Sequence, residues 1–257
     1  MSQEIIVGLL GIVTGCLSGL LGIGGGILLA PLLLICLPWF SGSALPIVTI
    51  TGLTVAQSFF GAASALFHHA RSQQRDHQLV YYFGIPMGCA SLLASLFTVH
   101  LSAQVVLVTF ALLAISSVLI SVSGPGFWRK WLGDNDQRHW LLPVLGVILG
   151  LTCGAVGQGG GFIYLPVMIA LFGCSPKLAI ATAPVIGLIA ASGLFVGRIA
   201  SGTLDWTLCG ALVIGIFIGA KVGSVLYFRF NDRLLAYCIH GFVLLSSIKI
   251  ITMAVNL

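Results

Sequence analysis

The sequence predicts an all-α polytopic membrane protein, an inverted repeat of two five-segment halves, each containing a glycine-broken or re-entrant helical hairpin. Three observations lead there. The 257-residue chain is 58% hydrophobic and 7% charged, whereas a soluble domain has about 25% charged residues. Its apolar stretches recur along the whole length, many of them near the roughly 20 residues that cross a bilayer. One glycine-rich phrase is present twice. The formal net charge of +5 does not indicate nucleic-acid binding, because Lys and Arg in such a chain mostly mark the loops that stay in the cytoplasm.

The first copy of the phrase contains Gly11, Gly15, Gly19, Gly22, Gly24, Gly25, Gly26 and Pro31. The second contains Gly146, Gly150, Gly154, Gly157, Gly159, Gly160, Gly161 and Pro166, each displaced by 135 residues. Glycines four apart line one helix face with hydrogens and let a second helix approach closely. The cluster that follows is unsuited to a helix interior, where each Gly costs roughly 1 kcal/mol against Ala. It reads as a break or tight turn. An apolar helical run resumes after it, with Pro31 in its early part and Pro38 near its end.

The first half, 1–122, is read as segments at about 4–21, 27–38, 44–67, 79–98 and 103–122. The second, 140–257, has segments at about 140–157, 162–173, 177–197, 206–228 and 234–255, and 123–139 is a polar linker expected on the cytoplasmic side. The second segment of each half has some 12 residues, roughly 18 Å at 1.5 Å per residue, enough for part of the hydrocarbon core. Gly84-Ile85-x-x-Gly88 is matched with Gly215-Ile216-x-x-Gly219, and Ser116-Ser117 with Ser246-Ser247. The start, Met1 to Glu4, lacks the positive region of a cleavable signal peptide.

Orientation follows from the basic residues. Arg71, Arg75, Arg129, Lys130, Arg138, Lys177, Arg229 and Arg233 fall in connections that a weaving chain places on one side, taken as cytoplasmic; Arg198 and Lys249 are exceptions. Five segments per half is an odd number, so the halves enter from opposite sides, the layout of many secondary transporters.

Two turns meeting near mid-membrane suggest a site. The first N–H groups of a helix have no partner within it, and the positive end of the helix dipole favours an anion. Gly24, Gly25, Gly26, Gly159, Gly160 and Gly161 are the candidate binding positions, with Gln158 the polar side chain inside the second turn. The other reading of these glycines is tight packing alone. Thr49, Thr51, Thr54, Gln57 and Ser58 fall on one helical stretch; Gln57 and the pair Thr49 and Thr182 are the chosen additions to the site, although Ser and Thr in membrane helices also cap upstream carbonyls. Lys221, flanked by Gly219 and Gly223, is either a functional intramembrane charge or a side chain that snorkels to the interface. Seven cysteines, with no Cys-x-x-Cys pair, read as small packing residues. His68, His69 and His77 are too few for a di-iron enzyme, and no Gly-Lys-Ser/Thr makes the glycines a phosphate loop.

The doubled pattern Gly-x3-Gly-x3-Gly-x2-Gly-x-Gly-Gly-Gly-x4-Pro resembles the sulfite exporter TauE/SafE family, also called the TSUP permeases, over essentially the full chain. The resemblance implies transport of sulfur-containing anions such as sulfite, sulfonates or sulfoacetate across the bacterial inner membrane, with no organic cofactor; no metal and no enzymatic activity are expected, and the alternatives are a passive anion channel with the same site or a membrane-embedded sulfur-handling enzyme. The expected partners are a small anionic substrate and the lipid bilayer, with no nucleic acid; proton coupling and a homodimer are left open. Family patterns often carry Ala-x-x-Thr-Ser after each motif; here Ala179-Ile-Ala-Thr182-Ala and Pro46-Ile-Val-Thr49-Ile stand in those places.

Overall fold

The structure, a computed structural model, describes residues 2–21, 26–42, 44–68, 75–132 and 140–226. These form helices α1 (Gln3–Leu21), α2 (Gly26–Ser41), α3 (Ile47–His68), α4 (His77–Phe97), α5 (Ala103–Leu132), α6 (Leu141–Val156), α7 (Gly161–Ala170), α8 (Pro176–Ala200) and α9 (Trp206–Leu226). No strand occurs among the described residues. Five helices, α3, α4, α5, α8 and α9, are long and apolar enough to cross a membrane, and the shorter α1, α2, α6 and α7 are the hairpin arms. The segment expected at 234–255, with Ser246 and Ser247, lies outside the described residues.

Local chemistry explains several boundaries. Asp76 accepts from the N–H groups of Gln78 and Leu79, and Asp205 from those of Thr207 and Leu208, so α4 and α9 begin with the same carboxylate cap. Ser175 caps α8, and Pro176 sits where its missing N–H costs nothing. Pro31 and Pro38 both lie inside α2, which therefore runs past the expected end to 16 residues, about 24 Å. Its counterpart α7 stops after 10 residues, about 15 Å. Helix α5 continues through Leu132 into the stretch expected to be linker, where Trp128 Nε1 donates to Ser123 Oγ at 2.9 Å.

The glycine stripes set the packing. A Cβ placed on Gly11, Gly15 or Gly19 would strike the backbone of Leu212, Ile216 or Ala220 in α9. One placed on Gly146, Gly150 or Gly154 would strike Phe83, Met87 or Ser91 in α4. Each first helix is thus pressed, backbone to backbone, against the fourth helix of the other half. The numbers rise together in both cases, so α1 runs parallel to α9 and α6 parallel to α4. Contacts of Gly84 with Ile186 and of Gly197 with Ser95 make α8 parallel to α4. Phe60 packs on Phe217, and Gly52 lies against Leu204, so α3 is parallel to α9. Helices α3 and α8 are antiparallel: Thr51 meets Arg198, Phe59 stacks on Phe195, and Ala62 approaches Gly187. Among the described helices, α1 and α6, α3 and α8, and α4 and α9 therefore point in opposite senses.

These contacts also correct the repeat alignment. The first helices correspond at a shift of 135 residues, but their partners Phe83, Met87 and Ser91 correspond to Leu212, Ile216 and Ala220 at a shift of 129. The starts of α3 and α8, Ile47 and Pro176, and of α4 and α9, His77 and Trp206, also differ by 129. The difference of six is the length that α7 lacks relative to α2. The pairing of Gly84 with Gly215 is out of register, and the two packing faces confirm it: Gly84 faces α8, whereas Gly215 faces α1.

The outer surface is apolar, with Leu112, Ile214 and Val225 each more than 60% exposed. Trp39 and Trp206 are exposed at one end of the bundle and Tyr81, Tyr82 and Trp140 at the other, the belts that amphipathic rings form at the two interfaces.

If the stripe sets the spacing of α1 and α9, Gly15→Ala drives its methyl to within 2.6 Å of the Ile216 carbonyl oxygen, and overpacking of this kind costs about 1–3 kcal/mol. Gly210 has nothing within 4 Å of its Cβ position, and Gly210→Ala gains up to about 1 kcal/mol in helix propensity. Thermal unfolding in detergent checks the pair: a clear fall in Tm for the first substitution and no fall for the second.

Candidate functional site

The second glycine turn is built from its backbone. Gly157 ends α6 in the left-handed region (φ 72°), with its N–H bonded to the Gly154 carbonyl and that of Gln158 to the Cys153 carbonyl at 2.9 Å. This paired closure of a helix end favours glycine at the left-handed position. Gly160 (φ 71°) opens α7, and no side chain caps that helix. A Cβ on Gly160 would stand 2.7 Å from Met87 Cε and 3.0 Å from Cys153 Sγ. The glycines at 157 and 160 are thus required twice, by φ and by space.

The turn docks on the middle of α3. Ser58 Oγ accepts the N–H of Gly159 at 3.1 Å and donates to the Thr54 carbonyl at 2.8 Å. Thr54 Oγ1 reaches the Gly157 carbonyl at 2.8 Å. Gly26, the first residue of α2, also faces Ser58, whose Oγ occupies the space a Cβ there would take. One hydroxyl on α3 therefore touches the starts of both returning arms, from opposite halves of the chain.

Around it lie buried polar groups in an apolar setting. Gln57, 0% exposed, accepts from Thr14 Oγ1 at 3.0 Å, while its Nε2 has no partner. Gln158, 1% exposed, has no partner at either Nε2 or Oε1. Ser18 Oγ, one turn along α1 from Thr14, is also buried and unpaired. Leaving a buried donor unpaired costs about 1–3 kcal/mol.

Of the positions predicted from sequence, Gly26, Gln57, Gln158, Gly159, Gly160 and Gly161 come together here. Gly24 and Gly25 lie outside the described residues. Thr49 and Thr182 are not brought to the turns, nor are they equivalent: at the shift of 129, Thr49 corresponds to Leu178 and Thr182 to Leu53. Thr182 Oγ1 donates to its own helix at Leu178 and accepts the N–H of Asp76; Thr49 is half-buried in the first turn of α3. Lys221, read either as a functional intramembrane charge or as a side chain that snorkels to the interface, has an exposed side chain on α9. Its helix turns Gly219 and Gly223, not the lysine, toward α1. Thr14 and Ser18 were missed, although they fall on the glycine-striped helix at helical spacing. Burial first and the Asp76 carboxylate second push the Cys174 thiol up to about 11, so it is protonated at neutral pH.

Spanning helices, shorter apolar arms and a polar cluster enclosed by them are the make-up of a multi-pass membrane protein. Residues 7–250 match the family model described as sulfite exporter TauE/SafE, and the chain belongs to that family. Family membership places it among membrane transporters. Named relatives agree: a probable membrane transporter protein, YjnA, of Bacillus subtilis (strain 168) is 30% identical over 98% of this chain and 100% of its own length. Another from the same organism, YunE, is 25% identical over 88% of this chain and 89% of its own. A probable membrane transporter protein of Xylella fastidiosa (strain 9a5c) is 28% identical over 84% and 82%. No solved structure matches the chain.

The contact between Gly26 and Ser58 is testable by a double-mutant cycle. Gly26→Ala alone is expected to cost about 1–3 kcal/mol by overpacking. In a Ser58→Ala background the cost of Gly26→Ala should be smaller, a coupling of about 0.5 kcal/mol or more in thermal or denaturant unfolding. Strict additivity of the two substitutions would separate Gly26 from Ser58.

Proposed function

We propose that the chain is a secondary transporter moving a small sulfur-containing anion, of the sulfite, sulfonate or sulfoacetate class, across the bacterial inner membrane by alternating access, with the two hairpin turns as one shared site. The observation that carries this reading is the pair of buried amides, Gln57 and Gln158, whose Nε2 groups have no partner beside the uncapped start of α7. An oxyanion accepts from such donors without any buried cation of its own. The opposed senses of corresponding helices support an inverted-repeat mechanism, since rocking one half against the other moves access from one face to the other around a fixed centre. Ser58 Oγ, held by Gly159 N–H, occupies the place where an anion oxygen would lie in the loaded site.

Purified protein in liposomes under an imposed proton gradient tests the reading. Radiolabelled sulfite or a sulfonate accumulates against its own gradient if transport is coupled; movement only downhill would make the protein a passive channel. Gln57→Leu and Gln158→Leu each raise the half-saturating concentration roughly ten-fold or more, as a hydrogen bond to a charged group is worth about 1.5–3 kcal/mol. Wild-type half-saturation in both variants would move the site away from the turns.

A further inference from the structure

Arg198 is one of the largest fully buried side chains among the described residues, 0% exposed near the end of α8. A guanidinium carries five N–H donors and accepts nothing. Its Nη2 donates to Thr51 Oγ1 at 2.7 Å and its Nη1 to Thr203 Oγ1 at 3.4 Å, both neutral hydroxyls, while Nε has no partner. Among the described residues no carboxylate pairs with it. Asp76 and Asp205 are engaged as helix caps, and Glu4 lies in the first turn of α1. The carbonyl end of α8 supplies about half an elementary charge, which leaves the buried group net positive. Burying a charge without a counter-charge is costly, and a basic residue serving only the helix end need not be buried.

Its position gives the charge a use. Thr51, which holds the guanidinium, packs where a Cβ on Gly157 would lie, and the Thr51 carbonyl accepts from Thr54, which also bonds Gly157. Arg198 therefore stands one residue away from the second glycine turn, on the face where α3 and α9 begin and α8 ends.

We propose that Arg198 is the anion-selecting residue of the transporter, presenting its free Nε–H edge to an oxyanion that passes between this face and the glycine turns. The proposal rests on the transport reading above and deepens it. An Nε–H and a neighbouring Nη–H form a planar fork whose two parallel bonds match two oxygens of a sulfite or sulfonate, whereas on a halide both must converge on one ion. Thr51 and Thr203 act as positioning residues, each accepting from one Nη and leaving the buried Nε–H without a partner. A lipid phosphate carries the same oxyanion chemistry, and the experiment separates the two.

The test measures binding of sulfite, methanesulfonate and chloride to the full-length protein in neutral detergent, for wild type, Arg198→Lys and Arg198→Gln. Arg198→Lys keeps the charge and loses the fork; sulfite and methanesulfonate affinity is expected to fall about ten-fold, with the preference over chloride falling similarly. Arg198→Gln is expected to weaken the oxyanions roughly a hundred-fold. Unchanged sulfite affinity and an unchanged oxyanion-to-chloride ratio in Arg198→Lys overturn the proposal, and this variant decides even if Arg198→Gln does not fold. Should Gln158→Leu weaken sulfite while Arg198→Lys does not, the transport reading stands and this inference falls. Should the wild type bind no sulfur oxyanion, both fall. If added phosphatidylglycerol stabilises the wild type but not Arg198→Lys while sulfite binds both alike, the guanidinium serves a headgroup and the proposal is overturned.

Discussion

The structure depends on backbone-to-backbone contact between helices of opposite halves. Gly11, Gly15 and Gly19 admit α9, and Gly146, Gly150 and Gly154 admit α4, to distances at which any side chain would collide with a carbonyl oxygen or, at Gly154, with the Ala94 side chain. In lipid there is little hydrophobic gain from bringing two apolar helices together, so close packing carries the association. Because each hairpin is clasped by the fourth helix of the other half, neither half makes its full set of contacts alone. The second turn is carried inward with the helix that holds it, onto the middle of α3.

The junction of the two hairpins is not symmetric. Ser58 serves both returning arms, but its equivalent at a shift of 129 is Gly187, where the Tyr164 hydroxyl fills the space and donates to the Ala183 carbonyl at 3.0 Å. The short α7 and the long α2 follow matched glycine motifs and differ in length. The matched glycine stripes supply the packing, while single residues on α3, α7 and α8 give the interior its chemistry. Arg198 belongs to the same asymmetric set, held by a threonine from one half and a threonine from its own.

Polar groups in this interior are concentrated on few helices. Thr14 and Ser18 on α1, Thr51, Thr54, Gln57 and Ser58 on α3, Gln158 in the turn and Arg198 on α8 are all at most about 5% exposed. In a hydrocarbon surround a hydroxyl can satisfy itself on its own helix, as Thr14 does at the Leu10 carbonyl. An amide with two donors and an acceptor cannot do so as readily. That difference separates Gln57 and Gln158 from Thr51, Thr54 and Ser58, each of which donates to a carbonyl of its own helix.

The sequence by itself determined the membrane class, the glycine-striped first helices and the family, because each rests on local composition or on a pattern of adjacent residues; the helix ends were not so determined, since α2 and α5 run beyond the expected limits and α7 stops short. Glycine at positions 157 and 160 was legible, since a turn announces itself through the residues that permit it. The register after the turns was not: a match such as Gly84 with Gly215 looks as good on paper as the true pairing of Met87 with Ile216, and only the packing distinguishes them. Lys221 drew attention as a charge within an apolar run, yet a helix has a lipid side and a protein side, and the run does not say which one a residue takes. Arg198 was visible only as an exception to the orientation rule. Its burial, its two hydroxyl partners and its place beside Gly157 join residues 147 positions apart, and such contacts are decided by how α3 and α8 cross, which no local pattern encodes.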